Sequence, residues 1–395
     1  MTFDNEQKKL SIIMPCYNCE DTLLEAVESI FFQNLQDPFE VVMVDDGSTD
    51  STRKLIVDLE KKHQEVRYVF HETNQGGGAA RNTGIKESKG ELIFCLDSDN
   101  FFSENVLQKM IDDLEKDGVD GVVIHDRRFF RDDNHGVYSS HHNPVEEQPF
   151  SLSDLFNASG LLLDNFLFTR AAYDKTLGYP VRHGFDTQCF EFRFLAAGNK
   201  VKTSAGSVFY HRQVTKGKSY FQRVYEQGMF SVNFYLIFEE ILPLLSDSII
   251  IEILNFDIFH KNKLGENNIK NYLEFLYKEK PKAFFFDERG DAVRSKEVQL
   301  FLDGVSKYKQ GLYQGARDDF LRLQRAAPGS KVLQYDLART VLASEGVDVF
   351  LVEERAAYYG NLKPRRRKMY WSAPLLVLLL DRIKRIMKTL WIKRR

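Results

Sequence analysis

The chain has 395 residues, 43% of them apolar, and a formal charge of −3, enough length and apolar content for a sizeable core and two domains, which excludes a disordered or fibrous chain. The charge is unevenly placed: residues 361–395 hold twelve Lys/Arg against one acid, Asp381, so this tail carries +11 and the preceding body −14. A basic tail on an acidic body points the tail at something anionic.

From the N-terminus the pattern alternates between short apolar runs and amphipathic ones. Leu10 to Met14 reads as a strand, Asp21 to Gln33 as a helix, Glu40 to Val44 as a strand and Ser51 to Lys62 as a helix. Val66 to Phe70, Gly78 to Ser88, Glu91 to Leu96 and Glu104 to Lys116 repeat the rhythm, and Gly118 to Ile124 closes it. Apolar strands separated by helices predict an α/β domain with a mostly parallel sheet covered on both faces. In such sheets ligands bind beyond the carboxyl ends of the strands.

Those ends are polar. The first strand runs into Pro15-Cys16-Tyr17-Asn18, the second into Asp45-Asp46-Gly47-Ser48-Thr49-Asp50, and a later one into Asp97-Ser98-Asp99-Asn100. Turns favour the same residue types, so any one of these loops alone is a turn signal; three on one rim suggest a binding or catalytic edge. Asp97 and Asp99, two apart at a strand end, project to one side if the extended geometry persists, and then suit a hard cation such as Mg²⁺ or Mn²⁺. A helix cap accounts for Asn100 or Ser103 but gives no reason for Asp97. Gly76 to Gly78 opens a helix whose free backbone N–H groups suit an anion. No G-x-G-x-x-G follows the first strand and no G-x-x-x-x-G-K-[ST] occurs, which counts against a dehydrogenase or a P-loop NTPase.

Taken in order, Ser11 to Asn18, Val44 to Asp50, Asn74 to Gly84 and Asp97-Ser98-Asp99 resemble the family 2 glycosyltransferases of the GT-A fold, over about residues 10–215. The resemblance implies that Tyr17, with Pro15 and Asn18 beside it, stacks on the nucleotide base. Asp46, with Asp45, would read the base edge or ribose, and Gly78 and Arg81 would lie near the nucleotide. Asp97 and Ser98 would bind ribose and diphosphate, and Asp99 would hold the metal. His211 falls where related enzymes place a histidine by the metal or diphosphate; a lone strand histidine is as readily structural. Gly184-Phe185-Asp186 is similar to the segment in which a Glu-Asp pair opens a helix and the Asp is the general base. Here Phe185 stands for the usual Glu, and a capping role for Asp186 remains open. The Gln-x-x-Arg-Trp motif of processive members is missing, so one or a few sugars per encounter are expected.

The cysteines Cys16, Cys19, Cys95 and Cys189 are too few and too scattered for a disulfide framework, and Cys16-x-x-Cys19 has no second pair at zinc spacing. The polar N-terminus has no signal-peptide apolar stretch and no run of 18 apolar residues exists, so a cytoplasmic chain is expected. The catalytic domain should occupy residues 1–217, a helical extension rich in aromatics 218–296, and a tetratricopeptide-like unit 297–345. The last rests on Gly304, Gly311, Tyr313, Ala316, Phe320 and Pro328; one repeat and a fraction do not make a solenoid. The tail, 361–395, has the composition of a helix lying in an anionic membrane interface. The apolar Leu375 to Leu380 makes it poor for nucleic acid.

The reading is a metal-dependent inverting glycosyltransferase. It would move a sugar from a nucleoside-diphosphate donor, UDP-sugar favoured, to a glycan or lipid-linked acceptor at the inner face of a membrane, in surface polysaccharide synthesis. A sugar-1-phosphate nucleotidyltransferase would need a glycine-rich segment where Pro15 to Asn18 stands. A degenerate scaffold working through its repeat and tail is the other rival, against which Asp97, Asp99 and Asp186 all speak.

Overall fold

The computed structural model describes residues 9–131, 136–156, 160–181, 185–213, 230–258, 268–286 and 294–346. The chain divides into two compact units, one drawn from residues 1–221, 233–241 and 273–281 and the other from 222–232, 242–272 and 282–395.

In the first unit the expected alternation appears as β1 (Leu10–Cys16), α1 (Leu23–Phe31), β2 (Phe39–Asp45), α2 (Thr52–Lys62), β3 (Val66–Phe70), α3 (Gly77–Glu87), β4 (Leu92–Cys95), β5 (Phe101–Phe102) and α4 (Val106–Asp117). Then come β6 (Gly121–Arg131), β7 (Gly136–His142), β8 (Leu167–Thr169), α5 (Arg170–Asp174), α6 (Asp186–Ala196) and β9 (Val201–Arg212). The strand order is β3-β2-β1-β4-β8-β6-β9-β5, with β7 on β6. Strands β1 to β4 are parallel, as the sequence rhythm requires. Beyond them the sheet is mixed: β8 runs antiparallel to β4 and β6, β5 antiparallel to β9, and β6 parallel to β9. These antiparallel additions are two or three residues long, too short to leave a period in the sequence.

Alternation along β1 shows how the layers form. Leu10, Ile12 and Met14 join a core with Leu23, Val27 and Ile30 of α1, Ile56 of α2 and Leu107 and Ile111 of α4. Ile13 points the other way, into a core with Ile85 of α3 and Phe190 and Phe194 of α6. The period of two in strands and 3.6 in helices therefore yields a three-layer α/β/α sandwich. All four cysteines are buried free thiols, used here as small apolar residues.

The remaining described residues are helical: α7 (Phe230–Phe238), α8 (Asp247–Asn255), α9 (Ile269–Glu279), α10 (Pro281–Phe284), α11 (Lys296–Lys309), α12 (Tyr313–Ala326) and α13 (Lys331–Ser344). Within the first unit the aromatics of α7 are core: Phe238 packs edge-on to Phe192 at 5.5 Å, and Phe234 edge-on to Phe185 at 5.4 Å. In the second unit Gly304 of α11 faces Phe320 of α12, and a Cβ there would come within 2.7 Å of the ring, so a small residue sets that crossing. No helix among the described residues is long and apolar enough to cross a membrane. The tail at 361–395 lies outside the described residues.

Candidate active site

The carboxyl ends of β1, β2 and β4 bring their loops to one rim. After β1 the Tyr17 side chain is half exposed, and Asn18 takes a left-handed φ of 49°. The Asn18 Oδ1 accepts from the Thr49 N–H at 2.8 Å and the Asn18 N–H donates to Ser48 Oγ at 3.0 Å, so the first two loops are stitched together. Pro15 precedes them, paired in register with Val44 of β2.

The two acids of the second loop are committed to protein partners. Asp45 is fully buried and accepts from Arg53 Nε at 2.9 Å and the Ser48 N–H at 3.2 Å. Asp46 lies 2.7 Å from His71 Nδ1 and accepts from the N–H groups of Gln75 at 2.9 Å and Gly76 at 2.8 Å. Its carboxylate thus fixes the turn that starts α3. These two amides belong to the residues just before the helix, Gly76 being its cap.

Glycines at the head of α3 then let α6 come close. A Cβ on Gly78 would lie 2.0 Å from the Pro180 carbonyl oxygen, and one on Gly77 would lie 2.9 Å from Asp186 Oδ2. One turn on, Arg81 reaches across this contact. Its Nη1 donates to Asp186 Oδ2 at 2.6 Å while Nη2 donates to Asp97 Oδ1. The guanidinium is buried, 5.4 Å from the Tyr179 ring centre, and its Nε has no partner among the described residues. Burial opposes its charge, but the two carboxylates outweigh that and hold it protonated. Burial pushes the Asp186 carboxyl above its ordinary value, with Arg81 pulling the other way. Asp186 is the first residue of α6 and Phe185, buried, occupies the cap position. Its Oδ1 accepts from the adjacent Thr187 N–H at 2.9 Å.

In the Asp-x-Asp loop, Asp97 Oδ2 lies 3.4 Å from Asn165 Nδ2 and 3.5 Å from Asn100 Nδ2. The Ser98 carbonyl accepts from Thr22 Oγ1 at 2.9 Å, anchoring the loop to the start of α1. Burial first, then the neighbouring Asp97 charge, push the Asp99 carboxyl up to about 7. Arg212 holds this loop by its backbone, donating from Nε to the Asp99 carbonyl at 3.0 Å and from its own N–H to Asn100 Oδ1 at 3.0 Å. His211, next to it on β9, has Nδ1 3.4 Å from Asn100 Nδ2. Burial and the Arg127 charge depress its basicity, which leaves a neutral imidazole with a lone pair.

Arg81, Asp97 and Asp186 are therefore one connected group, with Asp99, Asn100 and His211 on the adjoining loop and strand. Asp45 and Asp46 stand behind the loops as braces, and Tyr17 is exposed at the rim. Sequence reasoning missed Asn165, Arg127 and Asp164. Asn165 has a left-handed φ of 53° and donates to the Cys95 carbonyl at 2.9 Å. Arg127 is buried and pairs with Asp164 through both carboxylate and carbonyl. The Asp126-Arg127-Arg128 run was the one available signal, an unusual charge cluster in an apolar strand. Among the described residues no three His, Cys, Asp or Glu side chains are grouped to hold a metal ion.

With this geometry in place, the likeness to known proteins is specific. Residues 11–177 match the sequence profile of Glycosyl transferase family 2. The chain is 27% identical over 219 residues to the glycosyltransferase GlyG of Streptococcus pneumoniae, covering 52% of this chain and 70% of that one. It is 39% identical over 101 residues to the poly(ribitol-phosphate) beta-glucosyltransferase of Bacillus spizizenii, covering 25% of this chain and 16% of that one. Among solved structures, residues 1–349 of S. aureus TarS in complex with UDP-GlcNAc superpose with a TM-score of 0.50 at 19% identity, covering 86% of this chain and 93% of that one. Residues 11–177 are thus similar to the family 2 glycosyltransferases, and the fold is like that of the TarS structure. The chain spans most of GlyG but less than half of the other curated relatives compared with it.

Proposed function

We propose that this chain transfers one sugar, with inversion, from a nucleoside-diphosphate sugar to a glycan or lipid-linked acceptor in surface-polysaccharide synthesis. The observation that carries this is the Arg81 bridge from Asp97 to Asp186, which ties a donor-side carboxylate to the residue proposed as base. The solved TarS structure of the same fold holds UDP-GlcNAc, which favours a UDP-sugar as donor. The Bacillus relative's name, a poly(ribitol-phosphate) glucosyltransferase, favours a cell-surface polymer as acceptor class.

In this reading the exposed Tyr17 ring stacks on the base, with Pro15 and Asn18 shaping its loop. Asp46 and Asp45 hold the loops that frame the base and ribose, and Asp97, Ser98, Gly78 and Arg81 line the sugar-diphosphate. The acceptor hydroxyl gives its proton to Asp186 as its oxygen bonds to the anomeric carbon, and the bond to the diphosphate breaks from the opposite face. The diphosphate leaves with the electron pair. Burial raises the Asp186 carboxyl and so makes its carboxylate a stronger proton acceptor, as a general base requires.

Asp99 and His211 fit a divalent cation by their chemistry. One is a carboxyl whose charge is opposed by burial and by Asp97, the other a neutral imidazole, and so small a donor set leaves places for diphosphate oxygens. A Mg²⁺ or Mn²⁺ ion there would supply positive charge against the departing diphosphate. The basic tail at 361–395 would hold the enzyme at an anionic membrane, and residues 297–345 are read as a tetratricopeptide-like unit. Deleting residues 363–395 should release the full chain from anionic liposomes; unchanged binding would remove the membrane reading.

The test of the activity is release of nucleoside diphosphate from a panel of nucleotide sugars with Mn²⁺ or Mg²⁺. At least one donor should be turned over by the wild type. No release from any donor would favour the degenerate-scaffold reading.

A further inference from the structure

The β6–β7 hairpin carries a row of rings that begins at the candidate site and runs out of it. His211 meets Phe129 edge-on, with ring centres 5.2 Å apart, and Phe129 lies 6.5 Å from Tyr138. The Arg131 guanidinium sits 4.7 Å over the Tyr138 ring, and its Nε donates to Gln213 Oε1 at 2.9 Å. Phe129 pairs with His211 on β9 and with Ser139 on β7, and a register shift between Phe129 and Phe130 leaves Tyr138 out of the paired ladder, where its ring meets Phe129. The next residue, Phe130, faces the other way and is used in packing, against Phe101 and under Arg212.

The two outer rings of the row are not core. Tyr138 is 44% exposed and Phe129 is partly exposed. Exposed aromatic rings in line with a transferase site suit a ligand that has apolar faces and a polar rim. A pyranose ring has that form, since its C–H face packs on an aromatic ring while its hydroxyls point sideways to donors and acceptors. The inner end of the row meets the Arg127–Asp164 pair through His211, and the outer end offers Arg131 and Gln213. The row is longer than one sugar ring can cover.

We propose that this hairpin face is the acceptor platform, on which a glycan of at least two rings stacks along Phe129 and Tyr138, the Phe129 end being the one nearer the candidate site. The proposal rests on the transferase reading and names the substrate class of that site: an oligosaccharide or polymer end rather than a single free sugar. Neutral and acidic glycans share the stacking chemistry, and Arg131 gives an acidic one an added partner.

The test uses the full chain on an array of single sugars, disaccharides and longer oligosaccharides, with neutral, amino and acidic members. The wild type should hold two-ring or longer members more tightly than single sugars. Phe129→Ala with Tyr138→Ala should weaken that binding about tenfold, the effect expected from losing two stacking rings. The ring-preserving pair, Phe129→Tyr with Tyr138→Phe, should keep it. Tyr138→Ala alone, whose ring meets Phe129 rather than His211, should also weaken glycan binding, with metal-dependent donor hydrolysis kept within about twofold.

Undiminished glycan binding by the alanine pair overturns the proposal, as does wild-type protein that binds no array member. A parallel fall in donor hydrolysis in Tyr138→Ala also overturns it, by showing that the ring supports the fold. Failure of wild-type donor hydrolysis is a separate result and overturns the transferase reading itself.

Discussion

Arg81 Nη1 stands 2.6 Å from Asp186 Oδ2. Because the same guanidinium also grips Asp97, the proposed base and the donor-side acid form one ion-paired group. In the proposed mechanism this bridge would help set the distance between the attacking hydroxyl and the donor.

Removing that cation should therefore do more than lower affinity. Arg81→Ala leaves two carboxylates in a poorly solvated place, and breaking a buried pair in this way costs about 3–5 kcal/mol. The pH profile gives the specific signature. As the proposed base Asp186 would act deprotonated; burial raises its pKa, and Arg81 opposes that rise. Without Arg81 the acidic limb of kcat/KM should move to higher pH. An acidic limb that stays in place in Arg81→Ala would show that the bridge does not tune the base.

Gly78→Ala should damage the site from a position that bears no functional group. Its Cβ would fall 2.0 Å from the Pro180 carbonyl oxygen, and backbone cannot yield as a side chain does. Overpacking of this kind costs about 1–3 kcal/mol. It should also spread α3 from α6 and lengthen the Arg81–Asp186 contact. The expected result is a lower melting temperature together with a loss of kcat that exceeds any loss of donor affinity. Wild-type stability in Gly78→Ala would mean that the two helices are not so close.

Asp99 makes stability depend on pH in the direction opposite to an ordinary ion-paired carboxylate. Its folded pKa of about 7 lies above the unfolded value near 4. Between these values the folded state holds a proton that the unfolded chain has released, so this group's contribution is full below about pH 4 and is lost by about pH 7. Metal-free protein should lose stability over that window as pH rises, and Asp99→Asn should flatten the slope. Denaturant titrations at several pH values measure it; an identical slope in Asp99→Asn would contradict the assignment.

The fold was largely legible because the N-terminal half is locally consistent. The short apolar run Leu10 to Met14 and the amphipathic pattern in Asp21 to Gln33 both match the elements that form, β1 and α1. The antiparallel β5 and β8 were not legible, since they are held by partners distant in sequence, Tyr210 and Phe94 among them. In the site, Asp97 and Asp99 lie beyond the end of β4 at Cys95, Asp99 in a turn, so strand spacing does not by itself set their directions, and the partner of Arg81 was not legible either. Arg81 and Asp186 are 105 residues apart, and their meeting depends on what glycine permits at Gly77 and Gly78. The inward engagement of Asp45 and Asp46 was equally hidden, because a carboxylate that braces a loop and one that faces a ligand look the same in sequence.

Donor binding and turnover, compared between Asp99→Ala and Asp186→Asn, test the central claim most directly. Calorimetric titration with the nucleotide sugar that the wild type turns over, in the presence of Mn²⁺, gives affinity, and nucleoside diphosphate release with acceptor gives rate. Asp186→Asn should keep donor affinity and lose about 10²–10⁴-fold in turnover, while Asp99→Ala should lose metal-dependent affinity itself. Full transfer by Asp186→Asn, or undiminished metal-dependent binding by Asp99→Ala, would contradict the account.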